Sequence, residues 1–396
     1  MKEVVIVDGV RTAIGKLGGA LINESAEHLA AHVIKALINR TQLDPQQIDE
    51  IILGQAKQSA DQSNVARVAS LHAELPIEIP GYTVHRQCGS GLQAINNAAQ
   101  QIALGLSDVI VAGGTESMST TPYYIRGMRY GLGAGNGQVL DPNTESQPGS
   151  QPAHYGITTM GQTAENLATK YSISRARQDE YAYLSQLRTS EAIEKGFYKD
   201  QIISYELKSK KGAIIFDTDE HPRLTAVEKL ASLKPAFVKE GTVTAGNSSG
   251  RNDGAAALLV MSKDKAEELE MKPLVKIIAQ ASAGVDPREM GIGPVPSTLK
   301  ALKQANLSIN DIDVIELNEA FAAQTLAVIE ELEIDIEKVN PNGGAIALGH
   351  PIGATGAIIM TKLIHELKRT GKRFGLVTLC IAGGLGITTI VENIRD

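Results

Sequence analysis

The stretch Leu43–Ala56, LDPQQIDEIILGQA, is echoed far downstream by Leu307–Ala320, LSINDIDVIELNEA. At a constant offset of 264, Leu43 meets Leu307, Ile48 meets Ile312, Asp49 meets Asp313, Ile51 meets Ile315 and Leu53 meets Leu317. Gly54 meets Asn318. Each copy reads as a short helical turn running into a buried strand. Before the first copy lie a Val/Ile-rich strand from Lys2 to Asp8 and a helix over 24–38, with apolar residues at helical spacing. Before the second lie a strand over 275–279 and a helix over 297–305. After each copy comes a glycine-rich turn opening a helix, at VHRQCGSG (84–91) and at GHPIGATG (349–356). Each half then closes on a strand, DVIVAGG (108–114) and TLCIAGG (378–384). Matched identities in matched order point to a duplicated α/β unit, with strands alternating with helices in a parallel or mixed sheet covered on both faces.

The remainder sorts around this repeat. Ser119 to Ser248 has no counterpart and reads as an insertion over one face of the core. Within it, 123–137 and 141–153 are rich in turn residues and read as loop, 163–171 and 175–196 read as helix, and KSKKG (208–212) as a charged hairpin or loop. DGAAALLVMS (253–262) returns a strand to the first half. The domains are therefore 1–118 with 249–270, the insertion 119–248, and 271–396.

A chain of 396 residues is long enough for two to three domains. The formal charge of −7, with both signs dispersed, argues against a general nucleic-acid binder. The start MKEVVIVDG reads as a first strand and not a leader, and no apolar run reaches the length of a membrane span. Only two cysteines occur, Cys88 and Cys380, with no CxxC pair. That fits a reducing cytoplasm and no metal centre.

The candidate chemistry lies at the strand ends. Cys88 precedes a helix, where the dipole and unpaired N–H groups favour an anion, so its thiol is expected to have a lowered pKa. Asn318 ends the strand DVIEL, His350 sits at the second helix start, and Cys380 lies in LCIAGGLG. Each also has a structural reading: a buried thiol, a helix cap, a turn histidine. GHPIGATG lacks the lysine and spacing of a phosphate loop.

Taken together, VHRQCGSGLQAI, AGNSSGRNDGAA, LNEAFAAQ, GGAIALGHPIGATGA and LCIAGGLG resemble the signature segments of the thiolases, and the resemblance runs from VVIVDGVRTAIGK to the last strand. It implies a five-layered αβαβα core. It implies an acyltransferase that condenses two acetyl-CoA to acetoacetyl-CoA and CoA, or runs the thiolysis, by ping-pong. The alternative within the family is a degradative 3-ketoacyl-CoA thiolase of broader chain length, in fatty acid β-oxidation. By resemblance, Cys88 is the nucleophile, His350 its base and Cys380 the second acid/base. His350 with a water on Asn318 forms one oxyanion hole, and the backbone N–H groups of Cys88 and Ala382 the other. Coenzyme A would meet Ser249 and Ala245 of AGNSSG, Phe237, Met160, Met290 and Phe321 along an apolar lining, and Arg223 at its nucleotide. The expected partners are acetyl-CoA, acetoacetyl-CoA and CoA, in a homodimer or homotetramer, with no cofactor beyond these substrates, no nucleic acid and no membrane.

Two departures stand out. Thr159 occupies the place where short-chain thiolases carry a histidine, and Ala382 replaces a glycine. DEHPR (219–223) looks degradative, whereas MGIGPVPS (290–297) looks short-chain, with Met290 narrowing the pocket. A ketoacyl synthase would share the fold but use two histidines or a His/Asn pair and no second cysteine. A non-catalytic CoA- or lipid-binding relative would have lost Cys88, His350 or Cys380. An unrelated cysteine hydrolase would lack the repeat.

Overall fold

The computed structural model describes residues 1–145, 148–209 and 212–394. In the first half, β1 (Val4–Arg11), β2 (Glu50–Gly54), β3 (Gly81–Val84) and β4 (Val109–Ser117) alternate with α1 (Ala26–Thr41), α2 (Val65–His72) and α3 (Ser90–Ala103). The insertion contributes α4 (Met160–Lys170), α5 (Arg175–Glu194) and the hairpin β5 (Tyr205–Ser209) with β6 (Gly212–Phe216). The hairpin reading of KSKKG is met by these two strands, and its tip, 210–211, lies outside the described residues. β7 (Asn252–Ser262) returns to the first half. The second half follows as β8 (Val275–Gly284), α6 (Pro294–Ala305), β9 (Val314–Leu317), α7 (Ala322–Glu331), α8 (Thr355–Thr370), β10 (Phe374–Ile381) and β11 (Leu385–Asn393).

Hydrogen-bonded neighbours run β9-β10-β11-β8-β1-β7-β4-β2-β3. The order within the two halves is the same. β2 is parallel to β4, with Ile51 opposite Val111, as β9 is to β10, with Ile315 opposite Leu376. The next strand is antiparallel in both, pairing Val111 with Leu259 and Leu376 with Ile390. Even the edge recurs: β3 lies beside β2, while Val339 makes a single bridge to Ile315. The Ile51/Ile315 equivalence read from the repeat is therefore an equivalence of sheet position.

Val5–Lys276 and Ile6–Val275 join the sheets of the two halves edge to edge, with Leu274 N–H donating to Ile6 O at 2.9 Å beside them. The apolar residues explain the layering. One core packs α3 and α8 between the sheets, with Leu92, Ile95, Ile358 and Leu363 meeting Leu258 of one sheet and Leu379 of the other. A second core packs α1 and α2 on the outer face of the first sheet. A third packs α6 and α7 on the outer face of the second. Strands covered on both faces bury every side chain, which is why β4 and β7 are buried at all positions.

Three boundaries differ from expectation. β4 runs on through Gly113 and Gly114 to Ser117, because the glycines let Ala256 and the turn at Gly353 approach the strand backbone. The segment 141–153 contains short helical turns over Pro142–Glu145 and Pro148–Ser150. His350 is not at the start of α8: a one-turn helix, Ala345–Leu348, precedes it, and α8 begins five residues later at Thr355.

Candidate active site

The two glycine-rich turns converge on a cavity of about 170 Å³ that is partly open to solvent. Cys88, His350, Cys380, Ala382, Ser249, Phe237, Met160, Met290 and Phe321 all line it. Its apolar wall is built by the insertion and the second half. Met160 packs against a cluster of Met290, Ala320, Phe321 and Cys380, and the Phe237 and Phe321 rings meet edge to face at 5.9 Å. Thr159 caps α4: its hydroxyl accepts from Gln162 N–H at 3.3 Å while Gln162 Oε1 accepts from Thr159 N–H at 2.7 Å. The residue standing in the place of a histidine thus fixes the start of the helix that carries Met160.

Cys88 sits two residues before α3 and is partly exposed. Gln87 beside it is held at φ 44°, a left-handed backbone that costs a non-glycine residue about 1 kcal/mol or more. The backbone N–H groups of Ala382 and Cys88 both point at the Cys88 sulphur, and they lower its pKa, as the Lys57 charge does. Burial outweighs them and holds the thiol above its ordinary value. The lowered pKa expected from the helix terminus is therefore not found in the free protein; desolvation is the larger effect. Ala382 needs no glycine, because the left-handed residues of its turn are Gly383 (φ 92°) and Gly384 (φ 82°).

His350 is buried, and burial pushes its imidazole down to about 4. Its Nδ1 lies 2.6 Å from the Thr355 hydroxyl, which itself donates to the Pro351 carbonyl at 2.9 Å. A carbonyl only accepts, so the hydroxyl must accept from Nδ1–H, and Nε2 is left with a bare lone pair. Nε2 has no protein partner. Asn252 Oδ1 accepts from His350 N–H at 2.9 Å and anchors the turn.

Cys380 is the penultimate residue of β10, with 1% exposure. Burial first, and then the Cys88 charge, push its thiol strongly upward. Asn318 is one strand over, its N–H donating to Thr378 O at 3.0 Å. It does not cap α7, whose N-cap is Phe321. Both polar atoms of its buried side chain lack partners. Asn318, Ala245 and Arg223 are not among the residues lining the cavity, and Ala245 and Arg223 are exposed at the surface.

Several residues come to the site that the sequence reading did not name, some of them, such as Gln87, Arg251 and Ile352, inside the quoted segments. Lys57, Gln87, Asn143, Ser150, Arg251 and Ile352 line the cavity. Glu116 is fully buried and accepts from Ala56, Lys57 and Gly353 N–H at 3.0, 3.1 and 2.9 Å. Burial raises its carboxyl to about 7. It binds the loop after β2 in the first half to the His350 turn in the second. Among the described residues no group of His, Cys, Asp and Glu could hold a metal ion, and no helix is long and apolar enough to cross a membrane.

Residues 4–264 match the family model "Thiolase, N-terminal domain" and residues 271–393 match "Thiolase, C-terminal domain". The chain is 47% identical to an acetyl-CoA acetyltransferase of Syntrophomonas wolfei, covering 99% of each. It is 48% identical to the beta-ketothiolase BktB of Cupriavidus necator, covering 99% of this chain and 100% of that one. The crystal structure of the Bacillus anthracis acetyl-CoA acetyltransferase superposes with a TM-score of 0.97 at 48% identity, over 100% of this chain and 99% of the other.

Proposed function

The chain belongs to the thiolase family, and on that premise we propose that it condenses two acetyl-CoA to acetoacetyl-CoA and CoA, reversibly, through an acyl-Cys88 intermediate. The observation that carries this reading is the bare Nε2 of His350 in one cavity with both cysteines.

Nε2 takes the Cys88 proton, and the thiolate attacks the thioester carbonyl of the first acetyl-CoA. CoA leaves with the proton of the Cys380 thiol, and the acetyl group stays on the Cys88 sulphur. Acylation removes the Cys88 charge, one of the two influences that hold Cys380 protonated. Cys380 then removes the α-proton of the second acetyl-CoA; burial makes its thiolate a strong base. The enolate oxygen is held by His350 and a water on Asn318. The new C–C bond forms at the Cys88 thioester, whose oxyanion meets the N–H groups of Cys88 and Ala382. Collapse releases acetoacetyl-CoA and the Cys88 thiolate, which takes its proton back from His350 Nε2.

The insertion, 119–248, carries much of the coenzyme A site, through Met160 and Phe237, with Arg223 and Ala245 outside the cavity on the pantetheine and nucleotide path; Ser249 belongs to the first half, and Met290 and Phe321 to the second. The reading includes a cytoplasmic homo-oligomer with no cofactor beyond its CoA substrates; the free thiols of Cys88 and Cys380 fit a reducing compartment.

Thiolysis rate against acyl chain length tests the reading. Met290, 3% exposed in the cavity wall, closes the acyl end. A steep fall beyond four carbons is expected, with no turnover in C88A and longer chains accepted by M290G. A flat profile in the wild type would overturn the short-chain assignment, and full activity in C88A would overturn the mechanism.

A further inference from the structure

The proton hand-over from Cys88 to His350 runs between two groups that burial has moved apart: the thiol upward, the imidazole down to about 4. Each group is penalised for the charge it must carry. The cavity holds a third charge that this reaction scheme has not used.

Lys57 follows β2 and is only 7% exposed, yet it lines the cavity with Cys88 and His350. It is held at both ends. Its backbone N–H donates to Glu116 at 3.1 Å, and its Nζ donates to the Pro142 carbonyl at 3.1 Å. Glu116 also holds Gly353, three residues beyond His350, at 2.9 Å. One buried carboxylate thus sets the lysine-bearing loop of the first half against the histidine-bearing turn of the second. A side chain fixed in this way acts without reorganising as charge develops.

We propose that Lys57 is a positioning residue that acts through Cys88: its ammonium offsets the negative charge on the Cys88 sulphur, so that a thiolate meets the acyl-CoA. The inference rests on Cys88 being the nucleophile. Lys57 gives up no proton; the proton passes from Cys88 to His350 Nε2 as before. The groups that set the charge around Cys88 are Lys57 and Glu116, with His350 and Cys380 in the cavity and Asp141 and Arg251 acting on Lys57. Lys57 lowers the Cys88 pKa and Glu116 raises it, so their removal has opposite signs.

The test is the rate of iodoacetamide alkylation of Cys88 against pH in the full-length wild type, K57M, K57R and E116Q, with thermal melts confirming the fold. The midpoint is expected to rise by about one unit in K57M, leaving the thiolate about tenfold scarcer near neutral pH. K57R stays near the wild type, and E116Q moves the other way. In condensation, kcat of K57M falls with KM for acetyl-CoA little changed. Coincident midpoints in wild type and K57M overturn the proposal. If K57M does not fold, K57Q and the downward shift in E116Q carry the same test, and an unshifted E116Q overturns it. Labelled acetyl-CoA separates the two readings. No label on wild-type Cys88 removes the nucleophile itself, whereas label with coincident midpoints removes only the role of Lys57.

Discussion

Asn318 buries a carboxamide with neither its oxygen nor its nitrogen partnered by protein. Such a group costs about 1–3 kcal/mol, so its retention points to a task other than stability. Asn318→Ala is expected to lower kcat about 100-fold, the usual order for losing an oxyanion donor, while the melting temperature holds or rises. A drop in both would make Asn318 a structural residue. Glu116 shows the same tension in its titration. Its carboxyl, ordinarily 4.5, is raised to about 7, so the folded state holds the proton more tightly than the unfolded chain. The stabilisation is complete below the unfolded value and is lost as pH rises through about 7. Its size is at most about 3 kcal/mol. Thermal melts of the wild type should therefore fall between pH 5 and 8, and those of E116Q should fall less. Glu316, buried beside Lys362 and also raised to about 7, keeps part of the slope in both proteins. Equal slopes would assign the whole effect elsewhere.

At the level of elements, α3 and α8 deliver the two turns to one point because their first turns touch backbone to backbone. A methyl at Gly356 would stand 2.4 Å from Leu92 N, and one at Gly91 would stand 2.9 Å from Ala357 N. The approach is possible only for glycine. Gly356→Ala must push the helices apart, at a cost of about 1–3 kcal/mol. Because Cys88 and His350 sit just before these helices, kcat should fall further than stability alone explains. A G356A variant with lowered melting temperature but undiminished kcat would show that the site tolerates the shift. The same contact explains an error of the sequence reading. The GHPIGATG glycines suggest a helix opening at the histidine, but Gly356 serves packing, and His350 stands on the turn ahead of the helix.

For the molecule as a whole, the insertion is fastened to the first strand by a buried ion pair. Arg11 and Asp219 are both fully buried in side chain. The guanidinium donates twice to the carboxylate, at 2.7 and 2.9 Å, and Asp219 also accepts from Ile14 N–H at 2.8 Å. Breaking one side leaves a buried charge, so Arg11→Met is expected to cost about 3–5 kcal/mol in chemical denaturation. R11M with D219L together should cost less than the sum of the two. Additive losses would show that the pair is not coupled. DEHPR, read at first for its family flavour, thus opens on a residue that holds the insertion in place.

The duplication and the order of elements are legible in the chain alone, which also singles out the two cysteines, the histidine and the asparagine as candidates. Those rest on local matters that a chain spells out directly: apolar period, turn glycines, and an echo such as Ile51 with Ile315. The tertiary structure alone decided protonation. A helix terminus argues for a lowered thiol pKa at Cys88, but the protein packed around it desolvates the sulphur and wins. It alone decided the histidine tautomer, through a hydroxyl whose own donor is already committed to Pro351. It alone brought Lys57 into the wall of the cavity that Cys88 lines, with Glu116 bonded to its backbone, since GQAKQS and GGTESM carry no pattern that marks such a place. Residues that act by charge across folded halves have no period to read, because the distances that matter are set by sheets and helices meeting from opposite ends of the chain.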